Sequence, residues 1–189
     1  MNAQKFEKII FLDRDGVINE DPIGDYVKTW EDFRFIPGAL DALQELTGAG
    51  FKTVIISSQA GIGDRVYSEQ ALNDITDKML AECKKNGVVI RNVYYCLHGK
   101  NADCDCRKPK TGLFEQAERE MRFDRNNTFF IGDKFTDVEA GNRFGLRCLF
   151  VLTGHGQNDR QKFNQTHKPE RIFPSIAEAA RYVLGQAGK

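Results

Sequence analysis

The sequence predicts an α/β protein built on a doubly wound, Rossmann-like parallel sheet, and three observations support this fold class. Short apolar runs recur along the chain, which is typical of strands buried on both faces of a sheet. The segments between these runs place apolar residues at helical spacing. The length of 189 residues suits one domain, so we expect a single domain over residues 1–189.

Three predicted strands and two predicted helices occupy the first half of the chain. The strands are the apolar segments at 8–12, 51–57 and 88–96. Segment 38–50 carries leucines at helical spacing and ends in glycine, which predicts a helix. Ser68 is expected to cap a second helix that ends near residue 86. The inner face of that helix is predicted to consist of Leu72, Ile75, Met79 and Cys83.

The second half of the chain continues the alternation. A helix is predicted over 111–122, and two more strands are predicted at 128–132 and 147–152. Segment 153–170 is polar and is expected to be irregular. Five strands that alternate with helices indicate a parallel sheet, in which the active site lies at the carboxyl ends of the strands.

Two capping boxes are predicted in this half. Thr136 and Glu139 have the spacing that opens a helix, here a short one that ends near Gly145. Ser175 and Glu178 have the same spacing and predict the start of the C-terminal helix.

Acidic residues follow two of the predicted strands. Asp13 and Asp15 come after the first strand, and their spacing lets both carboxylates point to one side. Such a pair repels unless a cation lies between the two groups, and Mg²⁺ prefers oxygen ligands of this kind. Asp133, after the fourth strand, is positioned to add a third oxygen. Asp137 is interpreted either as part of this group or as a cap of the following helix.

Groups suited to a phosphate follow the other strands. Ser57, at the end of the second strand, offers a hydroxyl and precedes free backbone N–H groups. Lys108 lies just before the helix at 111–122, where it can neutralise a phosphoryl oxygen. Each of these signals alone also fits a polar loop or a surface lysine. In combination with the acidic pair, they predict phosphoryl transfer to a carboxylate nucleophile with one metal ion.

The segment CLHGKNADCDC, residues 96–106, contains three of the five cysteines. It combines three thiols with one imidazole, the ligand set of a structural zinc site. The candidate ligands are Cys96, His98, Cys104 and Cys106. The alternatives are a disulfide, which leaves an odd thiol, and a catalytic cysteine, which the aspartates make unnecessary.

Composition limits the classes of partner. Lys and Arg together number 27, as do Asp and Glu, so no basic stripe indicates nucleic acid or a membrane surface. The N-terminal segment lacks the apolar region of a signal peptide, so we expect a reducing cytoplasm, where disulfides are rare. Cys83 and Cys148 are expected to be ordinary buried residues. His155 is interpreted either as a solvated loop histidine, which we favour, or as a residue that borders the site.

Four motifs make the sequence resemble the haloacid dehalogenase superfamily of phosphohydrolases. They read FLDRDG, IISSQAG, CRKPKTG and FIGDKFTD, and they follow the superfamily's order between Phe11 and Asp137. Within the superfamily, the segments FLDRDGVIN, SSQAGIG and CDCRKPKTGL resemble the D-glycero-D-manno-heptose 1,7-bisphosphate phosphatases. The histidinol-phosphate phosphatases share this framework and are the nearest alternative.

The resemblance implies a role for each motif. Asp13 is expected to be the nucleophile that forms a phospho-aspartyl intermediate, and Asp15 to protonate the leaving oxygen and then activate water. Mg²⁺ is expected on the Asp13 carboxylate, the Asp15 backbone carbonyl and Asp133. Ser57 and Lys108 are expected to stabilise the phosphoryl group. The residues expected to bind the substrate are Asp21, Tyr26, Ser58, Gln59, Arg107 and Lys134.

The intervals between the motifs leave no room for a large cap domain, because their own strands and helices fill them. The loops at 19–35, 61–67 and 96–106 are therefore expected to shape the pocket. The resemblance implies a Mg²⁺-dependent, zinc-stabilised phosphatase whose partner is a small phosphorylated sugar. We expect a monomer, because no predicted helix is obviously apolar and exposed. The alternatives are a histidinol-phosphate phosphatase and a non-catalytic, zinc-stabilised protein that binds a phosphorylated ligand.

Overall fold

A computed structural model describes residues 6–186 of the protein. Within that range one parallel sheet contains six strands. They are β1 (Ile9–Leu12), β2 (Lys52–Ser58), β3 (Ile90–Cys96), β4 (Phe129–Gly132), β5 (Arg147–Val151) and β6 (Arg171–Phe173). Their order across the sheet is β3-β2-β1-β4-β5-β6, so the predicted doubly wound fold class is confirmed.

Helices cover both faces of the sheet. They are α1 (Ala39–Gly48), α2 (Ala60–Gly63), α3 (Glu69–Lys85), α4 (Gly112–Glu120), α5 (Phe135–Phe144), α6 (Gly156–Asp159) and α7 (Ile176–Gln186). One buried cluster joins α1, α3 and α7 to one face, and a second joins α4 and α5 to the other. Strand β1 shows the alternation, because Ile10 and Leu12 enter the first cluster while Ile9 and Phe11 enter the second.

The strand order reverses between β1 and β4. The chain builds β2 and β3 on one side of β1, and then crosses to build β4, β5 and β6 on the other side. In open parallel sheets a crevice forms at the carboxyl ends of the two strands where the order reverses. That point lies beyond Leu12 and Gly132, directly where the Asp13 and Asp133 motifs begin.

The sixth strand was not predicted. Segment 171–173 contains only two apolar residues, and Ile172 is 46% exposed, so it gives no buried apolar run. It is the edge strand of the sheet and pairs with β5 alone. A short helix, α6, also lies in the segment that was expected to be irregular.

The capping box predicted from Thr136 and Glu139 is wrong. Helix α5 begins at Phe135, because the Asp137 carboxylate accepts a hydrogen bond from the Lys134 backbone N–H at 2.9 Å. The caps at Ser68 and Ser175 are confirmed, since each side chain accepts a backbone N–H of its helix. Among the described residues, no helix is both long enough and apolar enough to span a membrane.

Candidate active site

Three buried carboxylates meet at the point where the strand order reverses. Asp13 follows β1, Asp133 follows β4, and Asp137 lies in the first turn of α5. One oxygen of each lies within 4.8 Å of the others. Lys108 reaches this group from the segment before α4, with its Nζ 3.0 Å from Asp13 Oδ1 and 2.6 Å from Asp137 Oδ1. Asp137 therefore fits both of its interpretations, as a helix cap and as a member of the acidic group.

Burial dominates the electrostatics of this acidic group. It raises the pKa of Asp13 to about 6, although Lys108 lowers it in part. Burial likewise raises the pKa of Asp133 well above its usual value, and the neighbouring carboxylates add to the effect. Burial alone would lower the pKa of Lys108, but Asp13 and Asp137 raise it, so the ammonium stays charged. Oδ1 of Asp133 is buried and lacks a hydrogen-bond partner among residues 6–186. The group is thus built to receive a cation.

Asp15 lies beside this group with its own set of partners. Arg14 donates to both carboxylate oxygens of Asp15, at 2.8 and 3.0 Å from Nη2. Asn19 Nδ2 donates to Oδ1 at 2.9 Å, and Gln59 Nε2 donates to Oδ2 at 2.7 Å. Burial would raise the pKa of Asp15, but Arg14 and the two amides lower it below its usual value. These hydrogen bonds therefore favour the carboxylate form of Asp15 when no substrate is bound.

Gln59 connects the strand-end hydroxyl to the Asp15 network. Its Nε2 also donates to Ser57 Oγ at 2.8 Å, and its Oε1 accepts from the Tyr67 hydroxyl at 2.5 Å. The side chain is buried, so its amide is largely occupied by these partners. Gln59 borders the cleft as predicted, but its polar atoms mainly orient Ser57 and Asp15.

One glycine is required by the close packing of this site. Gly16 has φ +86°, and a Cβ there would lie 2.2 Å from Asp133 Oδ2. Any side chain at this position would displace the Asp133 carboxylate. The glycine of the FLDRDG motif is therefore explained by the approach of β4 to the loop after β1.

The predicted substrate-binding residues lie in one cleft above the acidic group. Two adjoining cavities, of about 310 and 290 Å³, share Asp15, Tyr26, Ser58, Lys100 and Lys134. The remaining predicted members of the cleft lining are Asp13, Asp21, Ser57, Gln59, Arg107 and Lys108.

The loops that line the cleft are fewer than predicted. Loop 19–35 and the cysteine segment contribute to the lining, as expected. Of the described residues that line the two cavities, none belongs to 61–67. Segment 61–67 contacts the cleft indirectly, through the hydrogen bond from the Tyr67 hydroxyl to Gln59.

Cys96, His98, Cys104 and Cys106 come together at the end of β3. Their ligand atoms all lie within 4.8 Å of one another. The Sγ atoms of Cys96 and Cys104 are 3.8 Å apart, and His98 Nδ1 lies 3.7 Å from Cys96 Sγ and 3.2 Å from Cys106 Sγ. A tetrahedral zinc ion would separate two sulfurs by about 3.8 Å, and sulfur from nitrogen by about 3.5 Å. The four residues therefore fit a structural zinc ion.

Cys83 and Cys148 take no part in that cluster. Both are buried, and burial raises the pKa of the Cys83 thiol to about 11. The prediction that they are ordinary buried residues is confirmed.

Several residues of the site were not predicted. Arg14 and Asn19 both bind Asp15, and Lys100 lines both cavities. Arg14 stands between two acids directly after a buried strand, and a buried charge needs a partner, so this position was an available signal. His155 borders the cleft, which is the second of its two interpretations, since its Nε2 is 3.3 Å from Asp21 Oδ2.

Comparisons with known proteins agree with this architecture. The HAD-hydrolase-like family model matches residues 105–179. The D-glycero-beta-D-manno-heptose-1,7-bisphosphate 7-phosphatase of Pasteurella multocida is 36% identical, over 95% of this chain and 98% of the relative. The D-glycero-D-manno-heptose-1,7-bisphosphate 7-phosphatase of Chlorobaculum tepidum is also 36% identical, over 95% of this chain and 96% of the relative.

A solved structure extends the similarity to three dimensions. It is the D,D-heptose 1,7-bisphosphate phosphatase from B. bronchiseptica, complexed with magnesium and phosphate. The two folds match with a TM-score of 0.89 at 30% sequence identity, over 95% of this chain and 99% of that one.

The doubly wound sheet, with aspartates where its strand order reverses, is the architecture of the haloacid dehalogenase-like hydrolases. Two relatives, each 36% identical to this chain over nearly the whole of both chains, narrow this class of hydrolases to one family. The chain belongs to the family of the D-glycero-D-manno-heptose-1,7-bisphosphate 7-phosphatases.

Proposed function

We propose that the protein is a phosphoric monoester hydrolase that converts D-glycero-D-manno-heptose 1,7-bisphosphate to the heptose 1-phosphate. One observation carries the proposal. In a chain whose relatives are named 7-phosphatases, the motif residues Asp13, Ser57, Lys108 and Asp133 lie together at one end of the sheet. A small phosphorylated sugar is accordingly the partner we assign to the cleft.

The proposed reaction has two steps. In the first, an Asp13 carboxylate oxygen attacks the phosphorus and the bond to the sugar oxygen breaks. Asp15, which takes up a proton from water when the anionic substrate lies beside it, passes that proton to the leaving oxygen. In the second, water attacks the phospho-aspartyl phosphorus and Asp15 accepts the water proton. The bond between phosphorus and the Asp13 oxygen breaks, which releases phosphate and regenerates the Asp13 carboxylate. The contacts from Arg14 and Gln59 support the assignment of Asp15 as the acid and base. They fix the orientation of the Asp15 carboxyl group and do not involve the nucleophile Asp13.

Fixed donors and cations account for stabilisation of the phosphoryl group. The transferred group carries dispersed negative charge, so positioned positive charge lowers the barrier most. Lys108 and Ser57 border the cavity that also contains Asp13 and are assigned to this role. Asp21, Tyr26, Ser58, Arg107 and Lys134 are assigned to the rest of the substrate, with Gln59 positioning Ser57 and Asp15.

Mg²⁺ is the cation we assign to the acidic group. The residues that would hold it are Asp13, Asp133 and the backbone carbonyl of Asp15, and the unpartnered Oδ1 of Asp133 supports the assignment. When bound, the ion supplies neutralisation of charge on the phosphoryl oxygens.

Zinc is the ion we assign to the Cys₃His cluster, where all four positions of a tetrahedral ion are taken by protein. Its role is structural.

We also propose that residues 1–189 act as one phosphatase domain, that the protein is a cytoplasmic monomer, and that it binds neither nucleic acid nor membranes. The free thiols that the zinc cluster requires support a reducing compartment.

The decisive experiment compares kcat/KM for heptose 1,7-bisphosphate, in both anomers, with that for histidinol phosphate and other sugar monophosphates. We expect one heptose bisphosphate anomer to exceed histidinol phosphate by at least about a hundredfold, roughly 2.7 kcal/mol in transition-state binding. A hundredfold preference for histidinol phosphate would overturn the substrate assignment. Absence of any phosphatase activity with Mg²⁺ would favour the non-catalytic alternative.

A further inference from the structure

The cationic side chains of the cleft differ in whether they already form ion pairs with carboxylates of the protein. Lys108 is paired with Asp13 and Asp137, and Lys134 Nζ lies 2.9 Å from Asp21 Oδ2. Lys100 lines both cavities, and within residues 6–186 its ammonium is paired with no carboxylate. The ammonium of Lys100 is thus free to meet an incoming anion.

The backbone of Lys100 is held against α2 by close packing. A Cβ on Gly63 would lie 2.0 Å from the Gly99 nitrogen, and a Cβ on Gly99 would lie 2.4 Å from Asp64 Oδ1. The Lys100 N–H donates to Asp64 Oδ1 at 3.0 Å. Only two facing glycines allow this approach, which brings the cysteine segment to the mouth of the cleft.

Arg107 fixes the same turn from the other side. Its Nη2 donates to the backbone carbonyl of Gly99 at 2.7 Å, and also contacts the carbonyl of His98, one of the zinc-cluster residues. The segment that carries Lys100 is therefore held by the zinc cluster, by Arg107 and by Asp64. The side chain itself stays exposed, with Nζ 5.6 Å from the centroid of the Tyr26 ring.

We propose that Lys100 binds the second phosphate of a bisphosphate substrate, the one that is not transferred. This inference rests on the proposed function and adds a specificity residue to it. A phosphate monoester carries about −1.5 to −2 charges at neutral pH, and the paired lysines of the cleft cannot neutralise a second such group. Lys100 and the Arg107 guanidinium, which contacts only backbone carbonyls in the described residues, supply that charge. Lys100 thereby discriminates sugar bisphosphates from monophosphates.

The test measures how Lys100→Ala changes the ratio of kcat/KM between a sugar bisphosphate and the matching monophosphate. The pairs are heptose 1,7-bisphosphate with heptose 7-phosphate, and fructose 1,6-bisphosphate with fructose 6-phosphate. We expect the ratio to fall by about tenfold, mostly through KM for the bisphosphate, because one charge-assisted contact is lost. Lys100→Arg should restore most of the ratio. Lys110→Ala is the matched control, since Lys110 pairs with Asp103 outside the cleft.

The outcomes separate this inference from the proposed function. An unchanged ratio, or equal losses on both members of a pair, would overturn the role of Lys100. Failure of heptose 1,7-bisphosphate as the preferred substrate would overturn the proposed function, while the fructose pair still tests Lys100. Zinc content is measured for each variant, and a loss of zinc in Lys100→Ala would mean that the lysine acts on the fold of the loop.

Discussion

Lys108 is a buried residue whose ammonium group interacts with several partners at once. Its ammonium is buried, yet it has two carboxylate partners and the backbone carbonyl of Ile56, so its charge is compensated in the absence of substrate. Asp13 and Asp137 in turn depend on that ammonium. Removal of either acid leaves Lys108 with one carboxylate and the Ile56 carbonyl, and the remaining carboxylate keeps the charge compensated.

Asp13→Asn should reduce kcat on an activated aryl phosphate by at least about a thousandfold, because an amide does not form the acyl phosphate. The melting temperature should stay the same or rise, because a buried carboxylate with a raised pKa is removed and Lys108 keeps Asp137. Turnover and thermal melts check both parts.

Asp74→Asn is the control for this prediction. Asp74 lies on the exposed face of α3 and pairs with Lys78, so the same chemical change should leave turnover intact. Undiminished turnover in Asp13→Asn would contradict the assignment of the nucleophile.

Among the elements, the pattern of apolar residues was sufficient to predict the buried strands but not to predict the edge strand β6. Strands β1, β2, β4 and β5 consist of continuous buried runs, which the sequence displays directly. Strand β6 has one neighbour and only three residues, so its position depends on pairing with β5, which no local pattern records. The start of α5 also depends in part on a distant residue, because Asp159 accepts the Phe135 N–H while Asp137 accepts that of Lys134.

We expect the stability of the cysteine segment to depend on a bound zinc ion, because its four candidate ligands lie together. Protein purified without added zinc should contain about one zinc per chain. Cys104→Ser should lower zinc affinity by at least about tenfold, lower the melting temperature and reduce kcat/KM, because Arg107 and Lys108 follow the cluster directly. Metal analysis and thermal melts check this prediction.

Cys83→Ala provides the comparison for the zinc prediction. Cys83 is a buried cysteine of α3 outside the cluster, so zinc content should be unchanged, while some packing stability is lost. An intact, zinc-free wild-type protein would refute the structural role of the metal.

For the whole molecule, the acidic group couples stability to pH and to Mg²⁺. The folded-state pKa values of Asp13 and Asp133 are raised, so the stability they contribute is present at low pH and is lost as pH rises through about 6 and above. Mg²⁺ competes with these protons and should stabilise the ionised form.

The melting temperature should therefore rise on addition of Mg²⁺ by about 5–10 °C at pH 8, with the ion at roughly a hundred times its Kd. The rise should be smaller at pH 5.5, where Asp13 and Asp133 are more protonated. Dialysed protein with and without MgCl₂ is the right comparison, since a chelator would also remove zinc. A shift that is equal at both pH values would contradict the assignment of these aspartates as ligands.

The sequence predicted which residues belong to the site better than it predicted what each one contacts. Strand ends converge in any parallel sheet, so the positions of Asp13, Ser57 and Asp133 followed from the fold class. The bonds from Arg14 to Asp15, and from Gln59 to Ser57, depend on side-chain directions that no spacing rule determines.

The central place of β1 has a consequence for synthesis of the chain. Strand β1 is made first, but one of its two neighbours, β4, begins at residue 129. On the ribosome its second edge therefore stays unpaired until more than a hundred further residues have emerged. Asp13 and Asp133 meet only when that edge closes. Hydrolysis would thus report completed assembly, and any nascent or truncated chain without β4 would be inert.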